Sequence, residues 1–474
     1  MNRSYQWGLL ASAAIFSAMP QAGLAQTARG APATILPPER PVVTAEPQVA
    51  DRQAVRPAVA PPVGTPAGTA PLYVENNEVV QPLTPTVQTW TVAQASTLAK
   101  VIDGIASEGL DPRDYHPGDL QAAISAGPGG ALNEVASRSF TFLIEDMRDG
   151  RTPMASRRQW FVVDPDPDRY RTADIMKTAL EDGDIAAALK SVAPLHPDYG
   201  ILKAELAKTP KADSKRRKLI RANMDRWRWL GRDLGGQYLM TNVPEYQLRL
   251  TVNDKIISTY RTIVGKPGRT ATPQLAESVE GVIFNPNWTV PQSIVKGEGL
   301  GAKVLGNPAW AKRAGYVATK GENGWVSVVQ QPGPTNSLGR MKLDMPNEHA
   351  IFLHDTPNRN LFEQANRALS HGCIRTERAS ELAITMAMLQ AGLTPEEGVA
   401  HNTSGKYTRV GFDKTMPVYI TYFTMARDIN GKLATFDDIY DRDAPVLAAL
   451  DKPRIANRAR VTDEEVVPLE APGA

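Results

Sequence analysis

Residues 238–264 read YLMTNVPEYQLRLTVNDKIISTYRTIV. Three runs of strand length, 238–243, 246–252 and 255–264, alternate or stay apolar, and Asn253-Asp254 sits where a tight hairpin turn belongs. Further strand-like runs fall at 281–285, 325–330, 350–354, 407–412 and 417–425, whereas helical patterns are confined to 359–369 and 377–391. Hairpins therefore outnumber any strand–helix–strand alternation, and the spacing predicts a strand-rich α+β domain over residues 219–440. The last thirty residues carry Pro, Ala and charge, so 441–474 reads as a frayed C-terminal tail.

Upstream the period changes. Leu98, Val101, Ile102 and Ile105 lie three and four apart in a helix over 93–109 that stops at Gly109 with Pro112 beyond. Leu132, Val135, Phe140, Leu143 and Met147 mark a second helix over 132–148, and two more are expected near 172–192 and 199–207. Residues 90–210 thus form an all-α unit with no nucleophile, no carboxylate pair and no metal spacing. His116 and His196 each precede a proline and read as structural or solvated.

Residues 26–89 differ from both parts. Positions 27–85 hold 12 of the 38 prolines, including Pro37-Pro38 and Pro61-Pro62, with few aromatics. Such a composition buries too little apolar surface to offset its ordering entropy, and a disordered, partly polyproline tether is expected. At ~3.1 Å per residue its upper reach is on the order of 180 Å. Residues 1–25 read as an export signal: Arg3, an apolar run from Trp7 to Met19, then Gly23-Leu24-Ala25 with small residues where a peptidase reads. An uncleaved anchor is the alternative. With no cysteine after it, a lipoprotein anchor is excluded, and no other segment is long and apolar enough to span a bilayer, so no membrane span is expected after cleavage and the chain should work outside the cytoplasm.

Composition bounds the chemistry. The 474 residues are 42% hydrophobic and 22% charged, an ordinary globular balance. With 53 Lys and Arg against 51 Asp and Glu, the formal charge of +2 gives no basic field to recruit nucleic acid. Cys373, the one cysteine, excludes an internal disulfide framework and any multi-cysteine zinc module.

The reactive side chains concentrate in residues 346–376, PNEHAIFLHDTPNRNLFEQANRALSHGCIRT, which hold three of the six histidines and the cysteine. His354 ends an apolar run, with Ala350, Phe352 and His354 placed on one face, and Cys373 follows between the helix expected at 359–369 and the next one. A cysteine becomes a nucleophile when an imidazole, a cation or a helix N-terminus holds it as thiolate. His354 or His371, Arg375 and the expected helix start near Thr376 are all at hand. Gly372 allows a tight turn that would leave amide N–H groups facing an oxyanion. By spacing alone an inert buried thiol stands level with a catalytic one. A metal site from His349, His354, His371 and Cys373 lacks a carboxylate and regular spacing. An exported thiol without a task would be an oxidation liability, which tilts the reading toward chemistry.

Ser370-His371-Gly372-Cys373-Ile374-Arg375, with His354-Asp355-Thr356-Pro357 upstream, resembles the signature of the YkuD-type L,D-transpeptidases. Met224–Trp229 (MDRWRW), Ile263–Pro267 (IVGKP), Asn285–Pro291 (NPNWTVP) and Pro332–Arg340 (PGPTNSLGR) resemble the long, YcbB-like subgroup. Gly109–Tyr115 (GLDPRDY) and Asp149-Gly150-Arg151 resemble that subgroup's scaffold domain, so the likeness runs from about 90 to 450. Members often insert a small peptidoglycan-binding module between the two parts; here only residues 208–218 separate them.

The resemblance implies a periplasmic cysteine acyltransferase that needs no cofactor or metal. Cys373 would attack the carbonyl between the third residue and the terminal D-Ala of a peptidoglycan tetrapeptide stem, with His354 as base and then acid, its ring oriented by the backbone carbonyl of Asp355. A thioester forms and the amine of a second stem resolves it into a 3-3 cross-link; if water attacks, the outcome is L,D-carboxypeptidase or amidase activity. Carbapenem-type β-lactams, which resemble the donor, would act as inhibitors. His371, Gly372 and Ser370 would support the loop or the oxyanion, and His371 either polarises the site or braces the loop. Arg375, Trp288, Asn336 and Arg340 would line the substrate cleft, with the core as the other place for Trp288 and a surface ion pair as the other use of Arg375. The Gly-rich, Lys-bearing stretch 296–324 is a candidate lid over the cleft, or else an exposed insertion. A catalytically silent wall-binding protein is the reading that a competent Cys373 would remove.

Overall fold

The computed structural model of the chain describes residues 84–162, 171–322, 324–456, 459 and 462–464. The export signal and nearly all of the tether lie outside the described residues. Residues 84–90, however, already lie against helices: the Gln88 amide donates to Ser137 Oγ at 3.0 Å, and the buried Trp90 indole N–H donates to the same oxygen at 3.0 Å.

Among the described residues seven helices build the N-terminal part: α1 Val92–Gly104, α2 Pro117–Ala126, α3 Gly130–Asp149, α4 Thr172–Asp182, α5 Ile185–Val192, α6 Pro197–Lys208 and α7 Ser214–Trp227. Thr91 starts α1 with a reciprocal capping box to Gln94, and the periodic residues Leu98, Ile102 and Ile105 are buried as the spacing predicts. The single helix expected at 172–192 is two, separated by Gly183 and the new cap Asp184, whose carboxylate accepts from the Ala187 amide at 2.8 Å. Helix α7 corrects the boundary at 219. Asp213 caps it, and Ile220, Met224 and Trp227 bury one face in a core shared with α6 and with the sheet residues Tyr238 and Met240.

The remaining chain alternates strands with short helices: β1 Gln237–Asn242, β2 Gln247–Val252, β3 Lys255–Gly265, β4 Leu275–Phe284, β5 Trp288–Thr289, α8 Gln292–Gly297, α9 Leu300–Gly306, α10 Pro308–Arg313, β6 Tyr316–Lys320, β7 Val326–Gln330, β8 Met341–Asp344, β9 Leu353–His354, β10 Ala368–Ser370, β11 Ile374–Thr376, α11 Ala379–Ala391, α12 Pro395–Thr403, β12 Thr408–Thr421, β13 Met425–Arg427, β14 Leu433–Thr435 and α13 Asp443–Leu450. The α+β class expected from the pattern is the class observed. Nine strands form one sheet in the order β10-β3-β11-β9-β8-β4-β12-β1-β2, and the extra β2–β3 pairing closes it on itself. The hairpin at Asn253-Asp254 has both residues left-handed, at φ 47° and 61°, the geometry a two-residue turn needs to match strand twist. Val282, Leu343, Leu353 and Ile374 pack from the sheet against Leu382, Ala383 and Met386 of α11.

Several expectations fail for identifiable reasons. The helix predicted at 359–369 is a short 3-10 turn, Arg359–Glu363, followed by β10. Arg261 takes the Phe362 carbonyl at 3.0 Å, Arg367 takes the Gln364 carbonyl at 3.0 Å, and Val264 donates to the Arg367 carbonyl at 2.9 Å, so the backbone is drawn to the sheet instead of to itself. The strands at 407–412 and 417–425 are one strand, β12, with an irregularity between Gly411 and Met416. The strand at 350–354 shrinks to Leu353–His354 because Ala350 is left-handed at φ 52°. Stretch 296–324 is not a coil: α8–α10 and the β5-β7-β6 sheet enclose a small core of Val290, Val295, Val304, Ala311 and Val328. The tail is held at least to Arg454, since Val446 and Leu450 of α13 are buried and the Arg454 guanidinium pairs with Asp146 at 3.0 Å. Among the described residues no helix is long and apolar enough to cross a membrane.

Candidate active site

Three short strands, β8, β9 and β11, set the site. Register pairs Ile283 with Lys342, Lys342 with His354, His354 with Arg375, and Arg375 with Ile263. Directly paired residues share a sheet face, so Lys342, His354 and Arg375 stand in one row on the side away from α11. Cys373 lies two residues before Arg375, and the pleat gives it the same side as Arg375, diagonal to His354. Ile374 is the buried residue between them; its amide donates to the Phe352 carbonyl at 2.9 Å.

The imidazole is oriented by its backbone. His354 is 5% exposed, and its Nδ1 lies 2.6 Å from the Asp355 carbonyl oxygen. A carbonyl only accepts, so Nδ1 carries the hydrogen and Nε2 keeps its lone pair. Burial, with Arg375 and then Lys342 adding cationic charge against the opposing Asp355 hydrogen bond, pulls the His354 pKa down to about 3. The ring is a neutral base at neutral pH. The Asp355 carboxylate is buried, accepting the Arg340 amide at 2.8 Å and pairing with Arg359 at 2.9 Å. That packing demands glycine at 339, where φ is +62° and a Cβ would sit 2.3 Å from Asp355 Oδ2.

Cys373 keeps part of its surface accessible, and its thiol donates to the Ala350 carbonyl at 3.6 Å. Burial pushes the thiol pKa up, while the Phe352 amide, Lys342 and Arg375 pull it the other way. The resting pair is a thiol and a neutral imidazole. Its turn is held by Ser370, whose hydroxyl donates to the Cys373 carbonyl at 2.6 Å and accepts the Gly372 amide at 3.2 Å. The Gly372 N–H expected to face an oxyanion is thus spent inside the loop, while its φ of 115° explains the glycine. Helix α11 begins at Ala379, after β11, so no helix N-terminus at Thr376 serves the sulfur.

The remaining candidates divide. His371 reaches the insertion: its Nε2 lies 2.8 Å from Glu298 Oε1, just beyond α8, with both side chains partly exposed. Arg375 joins the row. Arg340 is exposed, near the site through its backbone. Asn336 is corrected from cleft to frame, since it is fully buried and its amide nitrogen donates to the carbonyls of Pro286, Gln330 and Gln331. Trp288 packs on the small core of the insertion and pairs in register with Gln330. His349 is buried against Phe161, with ring centroids 4.2 Å apart. Among the described residues no group of three or more His, Cys, Asp and Glu converges as a metal site.

Two residues escape sequence reasoning. Lys342 looks like the solvent-facing member of an alternating strand until β8 is placed beside His354. Thr272 is fully buried; its hydroxyl donates to the Gly372 carbonyl at 2.7 Å and accepts the Gly265 amide at 2.9 Å. A cleft of about 370 Å³ opens beside this loop, lined by Phe161, Arg269, Thr270, His349, His371 and Gly372 among others.

Residues 236–420 match the L,D-transpeptidase catalytic domain family (YkuD), and residues 87–206 match the Scaffold domain family. A Haemophilus influenzae protein named "Putative L,D-transpeptidase" is 31% identical over 223 residues, which cover 44% of this chain and 45% of that protein, so the chain spans about half the relative's length. Among solved structures, the Ldtfm–avibactam carbamoyl enzyme overlaps at a TM-score of 0.20 and 14% identity, over 39% of this chain and 49% of that one. Mycobacterium tuberculosis L,D-transpeptidase 1 overlaps at 0.18 and 11% identity, over 39% and 61%. Overlaps so slight bear no weight for the fold.

Proposed function

We propose that the chain, which matches the YkuD L,D-transpeptidase catalytic domain family over residues 236–420 and the Scaffold domain family over residues 87–206, is a YcbB-like peptidoglycan L,D-transpeptidase working in the periplasm and forming 3-3 cross-links through a Cys373 thioester. The observation that supports this best is the neutral His354, its Nδ1–H held by the Asp355 carbonyl, on the same sheet face as the accessible Cys373.

The thiol must first leave the Ala350 carbonyl and turn toward Nε2. As sulfur attacks the stem carbonyl, its proton passes to Nε2; the C–N bond to D-Ala breaks and the departing amine takes that proton. A depressed pKa makes the imidazolium a strong acid, which favours this return. The side-chain amine of a second stem then attacks the thioester, gives a proton to Nε2, and the thiol is restored. Arg375 and Arg340 would receive a stem carboxylate. Carbapenem-type β-lactams would acylate the same sulfur.

Purified enzyme incubated with tetrapeptide stems should give cross-linked dimers that Cys373→Ala abolishes while the protein stays folded. Tripeptides without dimers under every condition would convert the reading to L,D-carboxypeptidase. An unmodified Cys373 after carbapenem exposure, read by intact mass, would remove the acyltransferase reading altogether.

A further inference from the structure

Lys342 has no counterpart in the chemistry described so far. It is half-buried, and among the described residues no carboxylate comes within ion-pair reach of its ammonium. Asp344, its neighbour on β8, is committed to Arg409 at 2.5 Å. Instead, Lys342 Nζ sits 3.4 Å from the centroid of the Phe352 ring. Charges withdrawn from water are normally paired, so a lysine left without an acid in such a place is poised for a negative charge that comes and goes.

The row fixes which charge. Lys342 is the direct cross-strand partner of His354 on one side, and Arg375 is its partner on the other. Two cations beside the imidazole oppose an imidazolium, so His354 alone is a poor source of positive charge for the sulfur. Phe352, which carries the ammonium on its ring, also accepts the Ile374 amide at 2.9 Å, next in the chain to Cys373. Of the other charged or titratable groups around the loop, His371 is engaged with Glu298 at 2.8 Å and Asp355 with Arg359 at 2.9 Å, His349 is packed on Phe161, and Arg269 lines the neighbouring cleft.

We propose that Lys342 is the counter-charge of the Cys373 thiolate, sharing that task with Arg375 across the imidazole. This rests on the acyltransferase reading, but its test does not need the stem substrate. A single cation near a partly desolvated thiolate is worth about one pKa unit or more.

The experiment is alkylation of the full-length protein by iodoacetamide, an uncharged probe, as a function of pH. Lys342→Met should move the alkylation midpoint up by about one pH unit, about tenfold slower below both midpoints, and Lys342→Arg should stay near wild type. Lys342→Gln is read the same way if the Met variant does not fold. An unchanged midpoint in a folded variant overturns the proposal, including when it comes with a raised KM for the tetrapeptide, which would make Lys342 a holder of substrate carboxylate. Should Cys373→Ala still cross-link, the Cys373 thioester reading fails on its own, whatever the alkylation profile.

Discussion

Thr272 shows how little of a site can reside in its reactive atoms. One buried hydroxyl ties the Gly372 carbonyl to the Gly265 amide and so fixes where the loop delivers Cys373. Thr272→Val keeps the shape and loses both bonds; we expect stability to fall by about 1–3 kcal/mol and cross-linking by about tenfold or more, with Thr272→Ser retaining both. Urea melts beside the dimer assay decide it, and full activity in the valine variant would show the loop to be held otherwise. His354 makes a pH-dependent contribution whose sign is fixed. Its folded pKa of about 3 lies below the value near 6.5 of the unfolded chain, so the unfolded state binds more protons between them. Its share of stability is complete above about pH 6.5 and is lost as pH falls toward 3. In His354→Gln the slope of stability against pH across that window should drop by up to about 1.4 kcal/mol per pH unit; His196 and His349, also depressed by burial, contribute equally to both proteins and cancel. Equal slopes from denaturant melts between pH 4 and 7 would contradict the buried neutral ring. Cys373 and His354 were legible in the sequence because few residue types can do such chemistry. Lys342 and Thr272 were not, because an ordinary lysine takes its place beside His354 only from the β8–β9 register, and an ordinary threonine its place under the loop only from contacts a hundred residues away in the chain.

Elements were legible where local pattern and tertiary packing agree. The 255–265 strand and its Asn253-Asp254 turn announce themselves, since alternation and left-handed turn residues are both local properties. Segment 359–369 misleads because its apolar spacing is helical, while Arg261 of β3 captures the Phe362 carbonyl from outside and Arg367 takes the Gln364 carbonyl from within. Helices α8–α10, of six or seven residues, are too short to develop a period, and their cohesion comes from Val304 and Val328 meeting across the insertion. The turn before β8 is the most demanding element near the site. Gly339→Ala would need both a left-handed alanine and displacement of the Asp355 carboxylate, whose backbone carbonyl aims the imidazole. A loss on the order of 2–4 kcal/mol is expected, together with reduced kcat in whatever fraction folds. A variant with wild-type thermal unfolding and wild-type kcat would mean that the turn relaxes at no cost to His354.

At the scale of the whole chain, the largest difference between sequence and structure is the C-terminal segment. Composition marks it as a tail because its partners lie between 170 and 309 residues upstream. Asp443 of α13 pairs with Arg226 of α7 at 2.6 Å, the Lys452 carbonyl accepts from Arg151 at 2.6 Å, and Arg454 reaches Asp146 at 3.0 Å and Glu145 at 2.8 Å while lying over the Phe142 ring. The same segment sends Tyr440 to the Gly265 carbonyl at 2.5 Å and Arg442 to the Thr272 carbonyl at 3.0 Å, one bond from the residues that hold the cysteine loop. The scaffold helices therefore support the site through the end of the chain as well as through α7. Arg454→Met removes a buried guanidinium from the buried Asp146, and breaking such a pair costs about 3–5 kcal/mol, whereas Glu145→Gln, at a more exposed partner, should cost about 0–1 kcal/mol. Adding Asp146→Asn to Arg454→Met should recover part of the loss, because the single change removes one cation from a buried carboxylate that keeps Arg151 at 3.8 Å and the Tyr115 hydroxyl at 3.1 Å. If calorimetry finds the Arg454 and Glu145 variants equally mild, Arg454 does not hold the C-terminal segment to the scaffold, and the route from the helices to the cysteine loop must run through the Arg226–Asp443 pair, the Arg151 bond to the Lys452 carbonyl and the apolar contacts of Val446 and Leu450 instead.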